Sequence, residues 1–342
     1  MNIRLYTHSD REIWDSYVTD HPEGTFFHLS QWKILVESSF GHESFYLMAE
    51  DHHRLRGVFP LFSVKSLLFG RSMVSLPFAA YGGILADTED AKAALYRKAV
   101  ELTQEHHLDY LELRNETQPM PDLPEKDLYV VFKKEISADN DKNFNAIPKK
   151  ARRMIRLGIK NELKGVFGRE ELLNDFYGLF AFNYHRLGTP VFSKSYLKNI
   201  LKTFGHKCDL LVIYKDQQPL SGVLTFYYKD QVIPYYSGAY PEAQDWSAND
   251  YLYWILMSNA AERGCRIFDY GRSKKDTGPY HFKRHWGFEP KPLHYQYYLN
   301  RLSEMPNISP ANPKYRRKIE MWKKLPIWFV NMIGPQIVKY VP

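Results

Sequence analysis

One order of elements occurs twice along this chain, and it restricts the fold more than any other feature. The first copy opens on an apolar strand, Phe45-Tyr-Leu-Met-Ala-Glu50, and returns through a polar turn as Arg56-Gly-Val-Phe-Pro-Leu-Phe62. Ser72-Met-Val-Ser-Leu-Pro77 and Tyr81-Gly-Gly-Ile84 follow, then a helix from about Thr88 to His106, then the strand Asp109-Tyr-Leu-Glu-Leu-Arg114. The second copy runs Asp209-Leu-Leu-Val-Ile-Tyr214, Ser221-Gly-Val-Leu-Thr-Phe-Tyr227, Gln231-Val-Ile-Pro-Tyr-Tyr236, a helix from about Ala248 to Arg263, and Arg266-Ile-Phe-Asp-Tyr270. Small residues align as Gly57 with Gly222 and Gly82 with Gly238, and the closing strands end alike at Arg114 and Arg272. The pattern predicts two copies of one domain. A length of 342 residues suits two cores better than one.

Hairpins ahead of a helix and a further strand give an α/β (α+β layered) domain. Each copy has a helical lead, Ser30–Glu37 and Leu172–Phe182. The boundary is expected near residue 140, giving domains at 1–140 and 141–300 and a basic, aromatic tail at 301–342. Met1-Asn-Ile-Arg-Leu-Tyr6 reads as a strand without the apolar stretch of a signal peptide. No apolar run reaches the roughly 18–20 residues of a membrane span. The expected location is the cytoplasm. Cys208 and Cys265 make no metal or redox motif and are expected as free thiols.

The densest chemistry lies in Phe268–Gly287, which leaves a strand, turns through two glycines and is expected to re-enter an extended segment. Lys283 among rings is suited to offset negative charge on an oxyanion or phosphate. A basic surface hairpin without chemistry is the alternative. His281, His285 and His294 follow no metal spacing and are expected to be structural, so no metal is expected. Gly-x-Ser-x-Gly, the phosphate loop and the dinucleotide fingerprint are all missing from the sequence.

A net charge of +7 favours anionic partners without choosing among them. The basic helix Lys149–Lys160, with Arg152, Arg153 and Arg156, would bury Met154, Ile155 and Ile159 and face its cations outward, either as a solvated face or as a phosphate clamp. In the tail, Lys314, Arg316, Arg317, Lys318, Lys323 and Lys324 precede Leu325-Pro-Ile-Trp-Phe-Val330. Two readings stand for residues 314–342: an interfacial membrane segment, or packing on the chain's own domain or a second copy.

Six motifs carry a resemblance: Phe40-Gly-His42, Phe59-Pro-Leu61, Ser75-Leu-Pro-Phe78 with Tyr81-Gly-Gly83, Leu187-Gly-Thr-Pro190, Phe268-Asp-Tyr-Gly-Arg-Ser273 and Phe282-Lys-x-x-Trp-Gly287. Through them the chain resembles FemAB-type proteins, and within these the FemAB-related proteins of exosortase (PEP-CTERM) and exopolysaccharide systems, from about residue 25 to 295. The resemblance implies two tandem GNAT-like acyltransferase domains and transfer of an acyl or aminoacyl group to an amine. The acceptor would be an envelope glycan or lipid-linked precursor, met at the inner membrane face. The donor would be acyl-CoA or aminoacyl-tRNA, with no cofactor resident and no DNA partner. It implies Lys283 and Phe282 as catalytic, with Trp32, Tyr81, Arg152, Arg153, Arg156, Asp269, Arg272, Ser273 and Tyr280 binding substrate. The sequence departs from acetyl-CoA-dependent domains in one respect: neither central helix is preceded by the Gln/Arg-x-x-Gly-x-Gly/Ala loop. The coiled-coil hairpin that some bridge-forming enzymes use with tRNA has no counterpart either. A non-catalytic binding or assembly protein of the same systems is the alternative function.

Overall fold

A computed structural model describes residues 1–66, 69–307 and 312–341. The chain forms two compact units: Met1–Tyr129 with Pro292–Ser309 and Lys339–Pro342, and Val130–Lys291 with Pro310–Val338. The side chain of Lys314 and residue Pro342 lie outside the described residues.

Unit 1 contains β1 (Asn2–Leu5), α1 (Arg11–Asp20), α2 (Ser30–Phe40), β2 (Glu43–Ser44), β3 (Leu47–Asp51), β4 (Arg54–Phe59), β5 (Leu61–Ser66), β6 (Gly70–Ser75), β7 (Leu85–Ala86), α3 (Glu89–Glu105), β8 (Tyr110–Asn115) and β9 (Glu125–Lys126). β10 (Tyr129–Glu135) leads into unit 2, which holds α4 (Asn140–Ala146), α5 (Lys149–Lys160), β11 (Lys164–Gly168), α6 (Leu173–Leu187), α7 (Lys194–Phe204), β12 (Cys208–Lys215), β13 (Gln218–Tyr228), β14 (Gln231–Ala239), α8 (Ala248–Glu262), β15 (Ile267–Lys274), α9 (Gly278–His285) and β16 (Pro290–Pro292). β17 (His294–Leu299) belongs to unit 1, and α10 (Pro313–Lys324) and α11 (Ile327–Val338) to unit 2.

The sheet orders are β1-β3-β4-β7 and β2-β5-β6-β8-β17-β9 in unit 1, and β11-β12-β13-β14-β15-β10-β16 in unit 2. The domain limits expected from sequence therefore change. β10 lies before residue 140 yet pairs in the second unit's sheet. β17 follows the second unit yet pairs with β8 from His294↔Asn115 to Leu299↔Tyr110. The tail is no separate element either, since α10 and α11 pack on α6.

The repeated order is present in both units, and hydrogen bonding sets its register. Asp109 N donates to Arg71 O at 2.7 Å, and Arg266 N donates to Asp230 O at 2.7 Å. Parallel pairing then begins at Ser72↔Tyr110 in one unit and Gln231↔Ile267 in the other. This register matches Glu112 with Asp269 and Arg114 with Gly271, not Arg114 with Arg272. The glycine matches also fail. A Cβ on Gly57 would meet Leu95 of α3, whereas one on Gly222 would meet Phe176 and Leu179 of α6. The residue facing the central helix α8 is Ser221, whose hydroxyl donates to Ala248 O at 3.3 Å. Gly82 lies in a loop with φ +155°, while Gly238 is paired with Gly222 inside the sheet. Chain order was legible because strand and helix periods differ, but a one-residue offset reverses every side chain's face.

Two local expectations change as well. α5 buries Ala151, Ile155 and Gly158, an i, i+4, i+7 stripe, and leaves Ile159 exposed. Gly158 permits that contact, because a Cβ there would sit 2.7 Å from the Tyr251 Cβ on α8. The segment after Gly278 is helical, not extended: Thr277 occupies the N-cap and Pro279 the first turn, where its missing N–H costs nothing.

The second unit's core joins β10, β12 to β15, α5 and α8 through Phe132, Ile155, Val223, Leu252, Phe268 and Trp286. Its other sheet face is covered by α6, which comes so close to β14 that a Cβ on Gly238 would lie 2.4 Å from Leu179 O. Gly238→Ala should destabilise the protein by about 1–3 kcal/mol. Gly278→Ala, where nothing stands within 4 Å apart from its chain neighbours and its own helix's backbone, should cost less. Denaturant midpoints of the two variants measure the difference.

Candidate active site

β14 and β15 pair in parallel over only two positions, Gln231↔Ile267 and Val232↔Phe268, among the described residues. Beyond that they part, and the residues of β15 past Phe268 carry the cluster. Asp269, fully buried, accepts a 2.8 Å hydrogen bond from Gly271 N and lies 3.3 Å from Lys133 Nζ on β10. Gly271 takes φ +70°, a conformation that suits glycine, and turns its carbonyl toward α9.

Lys283 projects from α9 into this turn. Its Nζ donates to Gly271 O and Arg272 O, both at 3.2 Å, and stands 5.6 Å from the ring centres of Phe132 and Tyr270. Only 8% of the residue is exposed. Burial pushes its pKa down to about 7; Asp269 opposes that shift and Arg272 adds to it. An ammonium has three N–H donors, and the third finds no protein acceptor among the described residues.

An aromatic floor fixes α9. Trp286 is fully buried, and its Nε1 donates to Asp250 Oδ1 on α8 at 2.9 Å. Burial raises the Asp250 carboxyl above its ordinary range. Phe282 is half-buried and lies 5.6 Å from Tyr253 and 6.2 Å from Trp286, ring centre to ring centre. The hydroxyls of Tyr270 and Ser273 on β15 are buried without a hydrogen-bond partner among the described residues. Such groups cost about 1–3 kcal/mol each unless a ligand or water completes them.

Of the expected residues, the structure gathers Phe282, Lys283, Asp269, Arg272, Ser273 and Tyr280 around β15 and α9. Asp269 has no surface for substrate, so its place there is to position the turn. Tyr280 packs edge-on against Phe132 at 5.5 Å. Arg152 donates to Asn145 and Arg156 lies over the Phe144 ring at 5.0 Å, while Arg153 is exposed on α5. Trp32 and Tyr81 belong to the first unit's core. Trp32 donates to Pro77 O at 3.2 Å, and both rings pack edge-on against Phe27. At 0% and 1% exposure neither offers a face to a ligand. Sequence reasoning missed Phe132, Lys133 and Asp250, which reach the cluster from separate elements and carry no motif.

The first unit has the same split between parallel strands, but it is filled. β6 and β8 pair at Ser72–Val74 and then part around residues 76–84. Arg114 is buried and donates to Leu76 O, to Ala79 O and to Glu112 at 2.8 Å, and Gly82 N donates to Arg114 O at 2.8 Å. The buried acid here is neutralised by a neighbour on its own strand, and chain occupies the gap.

The segment before α8 bears on the donor. The N–H groups of Ala243, Asp245 and Ser247 are already bonded to Tyr240, Glu242 and Gln244 carbonyls. Glu242 and Asp245 are exposed in this segment, whereas Asp250 turns inward to Trp286. A pyrophosphate needs free N–H groups, and in this segment these three are engaged within the turn itself. A cavity of about 730 Å³ lies between this segment and the β12–β13 turn, lined by Phe182, Lys215, Asp216, Tyr240, Glu242 and Trp246. It does not include Lys283.

Titration of Lys283 leaves a mark on stability. Unfolded lysine holds its proton to about 10.5, whereas the folded group releases it near 7. Unfolding between these values takes up a proton, so stability rises with pH by up to about 1.4 kcal/mol per unit. Relative to Lys283→Met, the wild type should gain stability from about pH 7 to pH 10; parallel curves would show a lysine with an ordinary pKa.

Residues 143–284 match the sequence pattern of the family described as an acetyltransferase (GNAT) domain, which is less than half of the chain. No curated protein matches the sequence. Among solved structures, FemX is 15% identical with a TM-score of 0.68, over 93% of this chain and all of that one. A tandem GNAT protein from the clavulanic acid biosynthesis pathway is 10% identical, TM-score 0.55, over 86% of this chain and 97% of that one. L-PGS from Bacillus licheniformis is 12% identical, TM-score 0.54, over 87% and 94%. At such identities the likeness is one of fold, and the fold is a mixed α/β architecture with GNAT-like sheet and helix organisation.

Proposed function

We propose that the chain is an acyl- or aminoacyltransferase whose second unit joins a carbonyl donor to an amine of a cell-envelope precursor, with Lys283 at the reacting carbonyl. One observation carries this: a buried lysine, brought near neutrality and fixed by two backbone carbonyls, with one N–H left over at the parting of two parallel strands. When the amine attacks, the carbonyl oxygen becomes an oxyanion. An ammonium fixed at that oxygen is worth more there than in the ground state, because its charge is desolvated and already oriented. Phe282 and Trp286 keep water from it. The similarity of residues 143–284 to acetyltransferases and the FemX-like fold support the same reading.

The acidic approach to α8 favours a donor that does not present a diphosphate there, which points to aminoacyl-tRNA ahead of acyl-CoA. Envelope glycans of exopolysaccharide systems, met at the inner face of the membrane, are the acceptors we propose. The same acidic approach favours a second reading, a non-catalytic binding protein of such a system. Titrating the protein with aminoacyl-tRNA, acyl-CoA and nucleotide-sugars separates the two, since the second reading requires that no donor binds.

With a donor in hand, Lys283→Met should lower kcat by about 10²–10³ while KM changes by only a few-fold. A folded variant with wild-type kcat would remove Lys283 from the chemistry.

A further inference from the structure

The two C-terminal helices present a surface that the transferase reading does not use. α10 and α11 are joined at Leu325-Pro326 and lie against α6. α11 buries Val330, Gly334 and Val338, an i, i+4, i+8 stripe. A Cβ on Gly334 would meet Val191 N at 3.0 Å, so that face is closely packed. The opposite face is apolar too: Trp328 is 67% exposed and Met332 60%. On α10, Met321 is 69% exposed. Large apolar side chains exposed together mark a contact surface; one turn beyond Met332 the same face carries the exposed Gln336.

What lies beside this face indicates the cover. From Arg316 to Lys324 there are five cations and one carboxylate, and Glu320 is engaged with Lys323 at 3.3 Å. Trp at the tip, thioethers beside it and unbalanced cations around it match the layering of an anionic bilayer surface: acyl boundary, then headgroup phosphate. α11 has 12 residues, and no helix among the described residues is long and apolar enough to cross a membrane. The segment therefore suits lying in the interface plane.

We infer that α10 and α11 dock unit 2 onto an anionic phospholipid surface, with Trp328 and Met332 entering the acyl boundary and Arg316, Arg317 and Lys318 facing the phosphates. RNA would use the cations without the apolar face. A second copy would use the apolar face and be repelled by the cations.

Flotation of the full chain with phosphatidylcholine vesicles, with and without phosphatidylglycerol, tests this independently of any transferase assay. Binding is expected only with phosphatidylglycerol. Trp328→Ala with Met332→Ala should lower the partition coefficient about tenfold or more, from the apolar area withdrawn. Arg316→Gln with Arg317→Gln should lower it several-fold per charge and flatten its salt dependence. All four side chains are exposed, so unfolding midpoints should be unchanged. The inference is overturned by equal binding to both vesicles or to neither. It is also overturned by a concentration-dependent dimer that Trp328→Ala dissolves, or by RNA binding that outlasts the loss of both apolar side chains while vesicle binding is absent.

Discussion

Two parallel strands that pair over two residues and then separate set the rest of the second unit in place. A strand that leaves its neighbour exposes backbone groups that must be satisfied elsewhere. Here Gly271 N turns to Asp269, and the carbonyls of Gly271 and Arg272 turn to Lys283. The parting of the strands thereby creates both a gap and the means to hold a cation beside it. Burying a carboxylate and an ammonium is expensive, and the network limits that cost unequally. Asp269 has Lys133 as a close partner, whereas Lys283 is hydrogen-bonded to carbonyls alone, and burial brings its pKa down against the pull of Asp269.

The first unit shows what the same gap becomes when the fold alone is served. Glu112 stands where Asp269 does, but Arg114, two residues along on the same face of its strand, binds it directly. Its Nη1 donates to the Leu76 and Ala79 carbonyls of the intervening loop. In the second unit the corresponding residue is Gly271, which brings no side chain. The cation comes instead from α9 and has a donor to spare. One change on the strand, a guanidinium in one unit and a bare backbone in the other, separates a closed core from a site that a ligand can complete. The similar folds of the two units are consistent with duplication, and their buried polar groups are where they diverge.

How much of this was legible in the sequence follows from the range of the forces involved. The repeat was readable because helix and strand periods are local, and α5 falls at Lys149–Lys160 as its composition indicated. Lys283 and Phe282 stood out through a compact motif. Register was not readable: Gly57 and Gly222 look equivalent by spacing, yet face opposite sides of their sheets. The exchange of β10 and β17 was not readable either, because strand pairing between segments this distant in sequence leaves no local trace. Phe132 and Lys133 enter the site by that route. Trp32 and Tyr81 were misplaced for the opposite reason, since an aromatic side chain in a motif serves a core as readily as a ligand.

The donor question turns on the same kind of local accounting. A helix N-terminus attracts phosphate through N–H groups that have no other partner. Before α8 the chain closes a 3₁₀ turn at Pro241–Gln244, and Ser247 enters the helix at φ +56°. The Ser247 hydroxyl is buried there without a partner among the described residues. A diphosphate at this turn would approach the exposed carboxylates of Glu242 and Asp245. On the reading proposed above, an ester-linked aminoacyl group avoids them, because its charged backbone can run elsewhere while only the carbonyl reaches Lys283.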